Sequence, residues 1–290
     1  MSPSFPPLPE ALAAGWEERW LERPQGQLRY VVAGQGRPLV LCHGFIGSAE
    51  NFETWVPGLA ARRSLVIPDL PGFGSSAALP GQHSTRALAR EVRALTDHLH
   101  LDTFELGGLC LGAAVAMEVL AQEPARVERL VLHTPLMAPA MVRRAFRLQV
   151  GGLTVPGVFD LISALGRWRV AADLYRRVVV EGSAVVDRRS ADLNFENQVR
   201  ANPRAAREWL RDGVSVSFLP LLDGWHGDVF ALAAADDRIL EVELLAQYCS
   251  ARPHTELSLV AASGHGWSAE FISRQMEILE RIVATPSMVP

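Results

Sequence analysis

Three short stretches of this 290-residue chain hold residue types able to perform nucleophilic chemistry. In Gly108-Leu109-Cys110-Leu111-Gly112 a cysteine stands two residues from a glycine on each side, after an apolar run and before an alanine-rich one. A strand turning sharply into a helix needs small residues at those glycine positions, because the bend presses the backbone against its neighbours, and it drives the middle side chain outward. The position before a helix N-terminus also favours negative charge, which suits a thiolate. A lone cysteine beside a helix is more often packing, and the flanking glycines reverse that reading.

The second stretch is Leu41-Cys42-His43-Gly44-Phe45, at the end of an apolar run. A loop after such a strand can aim a backbone N–H at the point reached by the N–H following the nucleophile. Phe45 and Leu111 are therefore the expected oxyanion donors. His43, next to a glycine and without metal-ligand spacing around it, reads as a loop former. In the third stretch, Asp236-Asp237-Arg238 follows a late apolar run, and Ser263-Gly264-His265-Gly266-Trp267 follows the last one. A histidine between two glycines has little local chain to pack upon and suits a base, with either aspartate able to hold its tautomer and stabilise its charged form. The order nucleophile, acid, histidine is one of the known triad orders.

The elements that must position these residues follow from periodicity. Trp16 to Leu21 and Gln27 to Ala33 predict two antiparallel edge strands around a turn at Pro24 to Gly26. From Pro38 short apolar runs alternate with helical stretches: Pro38 to Cys42, Ser64 to Ile67, Thr103 to Gly108 and Val127 to His133, then Asp228 to Ala234 and Thr255 to Ala261. That rhythm predicts a buried parallel sheet with crossover helices at Glu50 to Ala61, Ser84 to Leu99, Leu111 to Gln122 and Glu270 to Val283. Between Ala138 and Leu219 it gives way to arginine-rich amphipathic stretches, which predict an inserted set of helices.

Composition bounds the chemistry. The net charge of −4 gives no global basic field for nucleic acid or an acidic membrane surface. All 28 basic residues are arginine, so Schiff-base catalysis and a P-loop lysine are excluded. Cys42, Cys110 and Cys249 are widely spaced, unlike a disulfide framework or a metal site, and a reducing, cytoplasmic setting is expected. No leader pattern or bilayer-length apolar run is visible, so no membrane insertion is expected. Neither a dinucleotide fingerprint nor a metal cluster is present, and no cofactor is expected. Cys42 and Cys249 read as core residues, and His133 has no motif partner.

The stretches LVLCHGFIGSAENF, LVIPDLPGFGSS, GGLCLGAAVAMEVL, ALAAADDRIL and SGHGWSAEF resemble the α/β-hydrolase superfamily over almost the whole chain. The resemblance implies an α/β fold with a mostly parallel eight-stranded sheet flanked by helices, residues 1–137 and 220–290 forming the core and 138–219 a helical cap. It selects Asp237, followed by Arg238 and Ile239, as the acid, His265 as the base, and Phe45 and Trp267 as pocket residues. The family's common nucleophile is serine. Cysteine is found at the elbow in dienelactone hydrolases and polyhydroxyalkanoate synthases, whereas the rest of the chain is more similar to small ester, haloalkane and carbon–carbon bond hydrolases. The expected activity is hydrolysis of an ester, thioester or lactone through a Cys110, His265, Asp237 triad and an acyl-enzyme. The expected partner is a small acyl substrate, and a homodimer is compatible with the sequence. Three other readings follow from the same residues: an acyltransferase or synthase using the same acyl-cysteine, a carbon–carbon hydrolase or menaquinone-pathway-like lyase, and a non-catalytic binder of the same fold.

Overall fold

A computed structural model describes residues 15–181, 188–266 and 268–285. Eight strands form one sheet: β1 (Glu17–Leu21), β2 (Leu28–Ala33), β3 (Arg37–Cys42), β4 (Arg63–Pro68), β5 (Phe104–Leu109), β6 (Val127–His133), β7 (Asp228–Asp236) and β8 (Thr255–Ser263). Their order is β1-β2-β4-β3-β5-β6-β7-β8, with β3 to β8 parallel and β1 and β2 antiparallel to their neighbours. This is the α/β-hydrolase arrangement expected from the sequence. One detail differs: β2 is not an edge strand, because it pairs with β4 as well as β1. Its near-continuous burial from Leu28 to Val31 reflects that interior place.

Two long crossover helices, α1 (Thr85–His98) and α2 (Leu111–Gln122), cover one face of the sheet. Ser84 starts α1 by accepting the Ala87 N–H at 3.2 Å, a side-chain cap that occupies one of the free donors of the first turn. The apolar α2 is almost wholly buried, as a helix between a central strand and its neighbours must be. The segment expected as a helix from Glu50 to Ala61 is instead a 3-10 turn, Ala49–Phe52, followed by a short helix, Val56–Leu59. Two local causes divide it. The side chain of Asn51 accepts the Ser48 N–H at 2.8 Å, and Pro57 fits only the first turn of a new helix.

Between β6 and β7 the chain leaves the sheet for a helical insertion: α3 (Arg144–Leu153), α4 (Val158–Leu165), α5 (Arg169–Tyr175), α6 (Arg188–Arg200) and α7 (Pro203–Gly213). Polar contacts fix it on the sheet domain. Glu208 accepts from the backbone and ring of His83, Asp212 accepts the Thr85 N–H at 2.7 Å, and Arg189 pairs with buried Glu53. After α8 (Leu219–Gly224) come β7, α9 (Val242–Ala251), β8 and α10 (Ala269–Ala284). The last helix covers the second face of the sheet, where Leu279, Ile282 and Val283 meet Phe52, Trp55 and Leu59.

Candidate active site

Cys110 occupies the bend between β5 and α2 with φ +52°, a left-handed conformation that a side chain tolerates only under tight surrounding constraint. The constraint is visible. A Cβ on Gly108 would lie 2.4 Å from the backbone of Gly112, and one on Gly112 would lie 2.2 Å from the carbonyl oxygen of Cys42. Only glycine fits either place. The Cys110 N–H donates to the His133 carbonyl at 2.9 Å, which fixes the bend to β6. The side chain is half-buried and lines a cavity of about 220 Å³, whereas Cys42 and Cys249 lie in the core. Burial pushes the Cys42 thiol up to about 12 and the Cys249 thiol up to about 11, so neither ionises readily near neutrality.

His265 sits in the loop after β8, between Gly264 at φ +95° and Gly266 at φ +87°. Both flanking positions favour glycine for their backbone geometry. Gly266 has a second reason, since a Cβ there would lie 2.6 Å from Cε1 of His133. The Nδ1 of His265 donates to Asp237, at 2.8 Å from Oδ2 and 3.0 Å from Oδ1. Asp237 is fully buried and is itself held by the N–H groups of Ile239 and Leu240, which donate to Oδ1 at 2.7 and 2.9 Å. Asp236 points elsewhere: it is exposed and accepts from Ser263. The geometry thus distinguishes the two aspartates that local sequence leaves equal.

Burial works against a charge on His265, but the Asp237 carboxylate and the Cys110 sulfur outweigh it and hold the imidazole pKa well above its usual value. The other ring nitrogen, Nε2, is buried and has no hydrogen-bond partner among the described residues. It shares the cavity wall with Cys110. One ring nitrogen is therefore anchored and the other is not.

Phe45 and Leu111 line the same cavity. Leu111 opens α2, where a backbone N–H has no partner within the helix. The loop bearing Phe45 passes close to the bend, for a Cβ on Gly44 would lie 3.4 Å from that of Cys110. That loop is fixed from beneath by His43, whose Nδ1 lies 2.9 Å from the Gly44 carbonyl and whose Nε2 accepts the Leu70 N–H at 2.9 Å. Desolvation lowers the His43 pKa to about 4, so the ring is neutral at ordinary pH and acts as a structural clamp. Asp69 completes the support by accepting the N–H groups of Ala49 and Ser75, at 2.7 and 2.8 Å. Buried Arg29 reaches from β2 to Asp69 and Glu50, at 2.9 and 2.6 Å.

The structure brings Cys110, Asp237, His265, Phe45 and Leu111 to one end of the sheet; Trp267 lies outside the described residues. Sequence reasoning missed His133, which ends β6 and lines the cavity beside His265. Its ring is 3.1 Å from Gln275 Oε1 and 3.3 Å from Thr134 Oγ1, and burial lowers its pKa to about 4. The signal available was its place at the carboxyl end of β6, next to the strand that leads to Cys110. Among the described residues no group of three His, Cys, Asp or Glu is arranged to hold a metal ion.

The sheet order, the strained residue at the β5–α2 bend and an acid and histidine after the last two strands define one class, and residues 37–268 match the family described as alpha/beta hydrolase fold. The chain belongs to that family. It is 25% identical over 245 residues, 80% of this chain and 83% of the other, to a 2-hydroxy-6-oxo-2,4-heptadienoate hydrolase of Pseudomonas putida. It is 32% identical over 141 residues to haloalkane dehalogenase 2 of Mycobacterium tuberculosis, covering 48% of this chain and 49% of that one. Several curated relatives are matched in this way over only about half of their length or less. Among solved structures a bromoperoxidase from Bacillus anthracis superposes with a TM-score of 0.79 at 16% identity, covering 93% of this chain and all of the other.

Proposed function

We propose that Cys110 is the nucleophile of an enzyme that hydrolyses a carboxylic ester, thioester or lactone carrying an apolar acyl group. The observation that carries this reading is the asymmetry of His265: Nδ1 is held by Asp237 at 2.8 Å, while Nε2 is unpaired in the cavity that Cys110 lines. In the reaction Nε2 of His265 carries the proton of the Cys110–His265 pair, as the raised imidazole pKa favours, while the sulfur forms a bond to the substrate carbonyl carbon. The N–H groups of Phe45 and Leu111 stabilise the resulting oxyanion. Collapse breaks the bond to the leaving group, which takes the proton from His265 and leaves a thioester on Cys110. Water then gives a proton to His265 and attacks that thioester, and the sulfur departs with its electron pair beside the ring that now carries the proton. Asp237 orients the ring and stabilises its charged form in both halves.

The walls support an apolar acyl group: Phe146, Val150, Leu153, Leu193 and Leu210 of the insertion at 138–219 line the cavity beside the polar Asp173, Arg176, Asn194 and Gln198, and the insertion serves as a cap that shapes the acyl site. Incubation with short- and medium-chain acyl thioesters and esters should give free acid and a mass adduct on Cys110. Replacement by alanine should lower kcat/KM by on the order of ten-thousandfold. Turnover undiminished in Cys110→Ala would refute the proposal.

A second reading, carbon–carbon bond hydrolysis of a dienoic keto acid, is supported by the likeness over 80% of the chain to the heptadienoate hydrolase. The same panel with a vinylogous 1,5-diketone added separates the two.

A further inference from the structure

We infer that the outer face of the α3–α5 region is a docking surface for an anionic lipid bilayer. Leu148, Leu161, Trp168, Val170, Leu174 and Val178 are each at least 60% exposed, and they fall within one stretch of about thirty residues of the insertion. Scattered exposed side chains are normal on a protein, but so many large apolar groups gathered on one segment mark an interaction site. No single helix among the described residues is long and apolar enough to cross a membrane. The pair α3 and α4, bent by 98° at the break, passes that test only when joined. Such a pair suits lying on a bilayer rather than traversing it.

Charge identifies the occupant. Although the whole chain carries −4, residues 138–219 hold 13 arginines against eight acidic residues, a local excess of +5, and the remainder carries −9. Arg144, Arg147, Arg167 and Arg177 are exposed among the apolar residues, whereas Arg169 is paired with Asp173 and Asp192. The acidic residues between 143 and 177 are Asp160 and Asp173, and Asp173 pairs with Arg169 and Arg176. Exposed apolar groups interspersed with arginines along one segment match the acyl boundary and anionic headgroups of a bilayer. A second copy of the chain fits poorly, because a two-fold contact would set this basic face against itself. The whole-chain charge, which predicts no attraction to an acidic membrane, averages this polarity away. Tyr175 belongs both to the exposed face and to the cavity wall, so docking brings the cavity mouth to the lipid.

The experiment is co-sedimentation of the full chain with vesicles of phosphatidylcholine alone or with about one third phosphatidylglycerol, together with light scattering in the absence of lipid. Pelleting with the anionic vesicles that weakens with salt, and a blue-shifted fluorescence that is lost in Trp168→Ser, are the expected results. Each basic residue near the surface is worth about fivefold in binding, so Arg147→Glu, Arg167→Glu and Arg177→Glu together should weaken it by at least on the order of a hundredfold. Circular dichroism of the variants controls for folding, and none of the substituted residues lines the catalytic cavity. Absence of pelleting, pelleting unchanged in the triple variant, or a dimer whose association is broken by Trp168→Ser would overturn the inference. The readout is independent of turnover, so it stands or falls apart from the reaction proposed for Cys110.

Discussion

Leu70 donates its backbone N–H to Nε2 of His43 at 2.9 Å, binding the loop after β4 to the loop that carries Phe45. His43→Ala leaves that buried N–H without a partner and frees the Phe45 loop. The expected stability loss is about 1–3 kcal/mol in urea unfolding. Because the loop supplies a proposed oxyanion donor, kcat should fall by about 10- to 100-fold while KM changes little. A variant with wild-type kcat and wild-type stability would contradict the clamp.

Two buried histidines set a pH window for stability. His43 and His133 both have native pKa values of about 4, below their ordinary value. Between about pH 4 and 6.5 the unfolded chain binds protons that the native state refuses, so stability falls as pH falls, by about 2 kcal/mol for each at pH 5 relative to pH 7. His265 has the opposite sign. Its raised pKa contributes stability that is complete below pH 6.5 and is lost as pH climbs through the native value, so it is constant across the window. Urea unfolding at pH 7 and pH 5 checks this, and His133→Asn should remove roughly half of the difference.

Asp237→Asn removes the carboxylate that outweighs desolvation at His265. The imidazole pKa should then fall, because burial is left opposed by the Cys110 sulfur alone. Turnover should fall by about a thousandfold or more, since the amide no longer holds the productive tautomer. Titration of the His265 ring by NMR reads the first effect independently of the second.

Two glycines, Gly112 and Gly151, carry opposite predictions. Gly112→Ala drives a Cβ to 2.2 Å from the Cys42 carbonyl, with backbone on both sides, and should cost about 3 kcal/mol or more. Gly151, inside α3, has nothing within 4 Å of a Cβ, so Gly151→Ala should stabilise by about 0.5 kcal/mol. Paired thermal melts test both signs.

The parallel sheet and the three chemical stretches were legible because each depends on local chain: apolar runs of strand length, and glycines where the backbone has no room. The elbow could be read from Gly108 and Gly112 alone, and their contacts give the reason. Residue type alone left Asp236 and Asp237 equal, and the resemblance chose Asp237 from the Arg238 and Ile239 that follow it; the physical distinction is burial against His265 and the donors Ile239 and Leu240. His133 and Arg29 were illegible for a similar reason. Each draws its meaning from partners far along the chain, Gln275 for one, Glu50 and Asp69 for the other. The break at Asn51 to Pro57 is written in the sequence, but the apolar rhythm of Glu50 to Ala61 is the same for one helix as for two short turns.

The division of charge between the insertion, at +5, and the remainder, at −9, makes the molecule an electric dipole with its positive pole on the wall above the cavity. A negatively charged object approaching within about 8 Å, the screening length at physiological salt, exerts a torque that turns this pole toward it before contact. Arrival is oriented rather than random, and raising the ionic strength should slow the encounter as well as loosen the docked state.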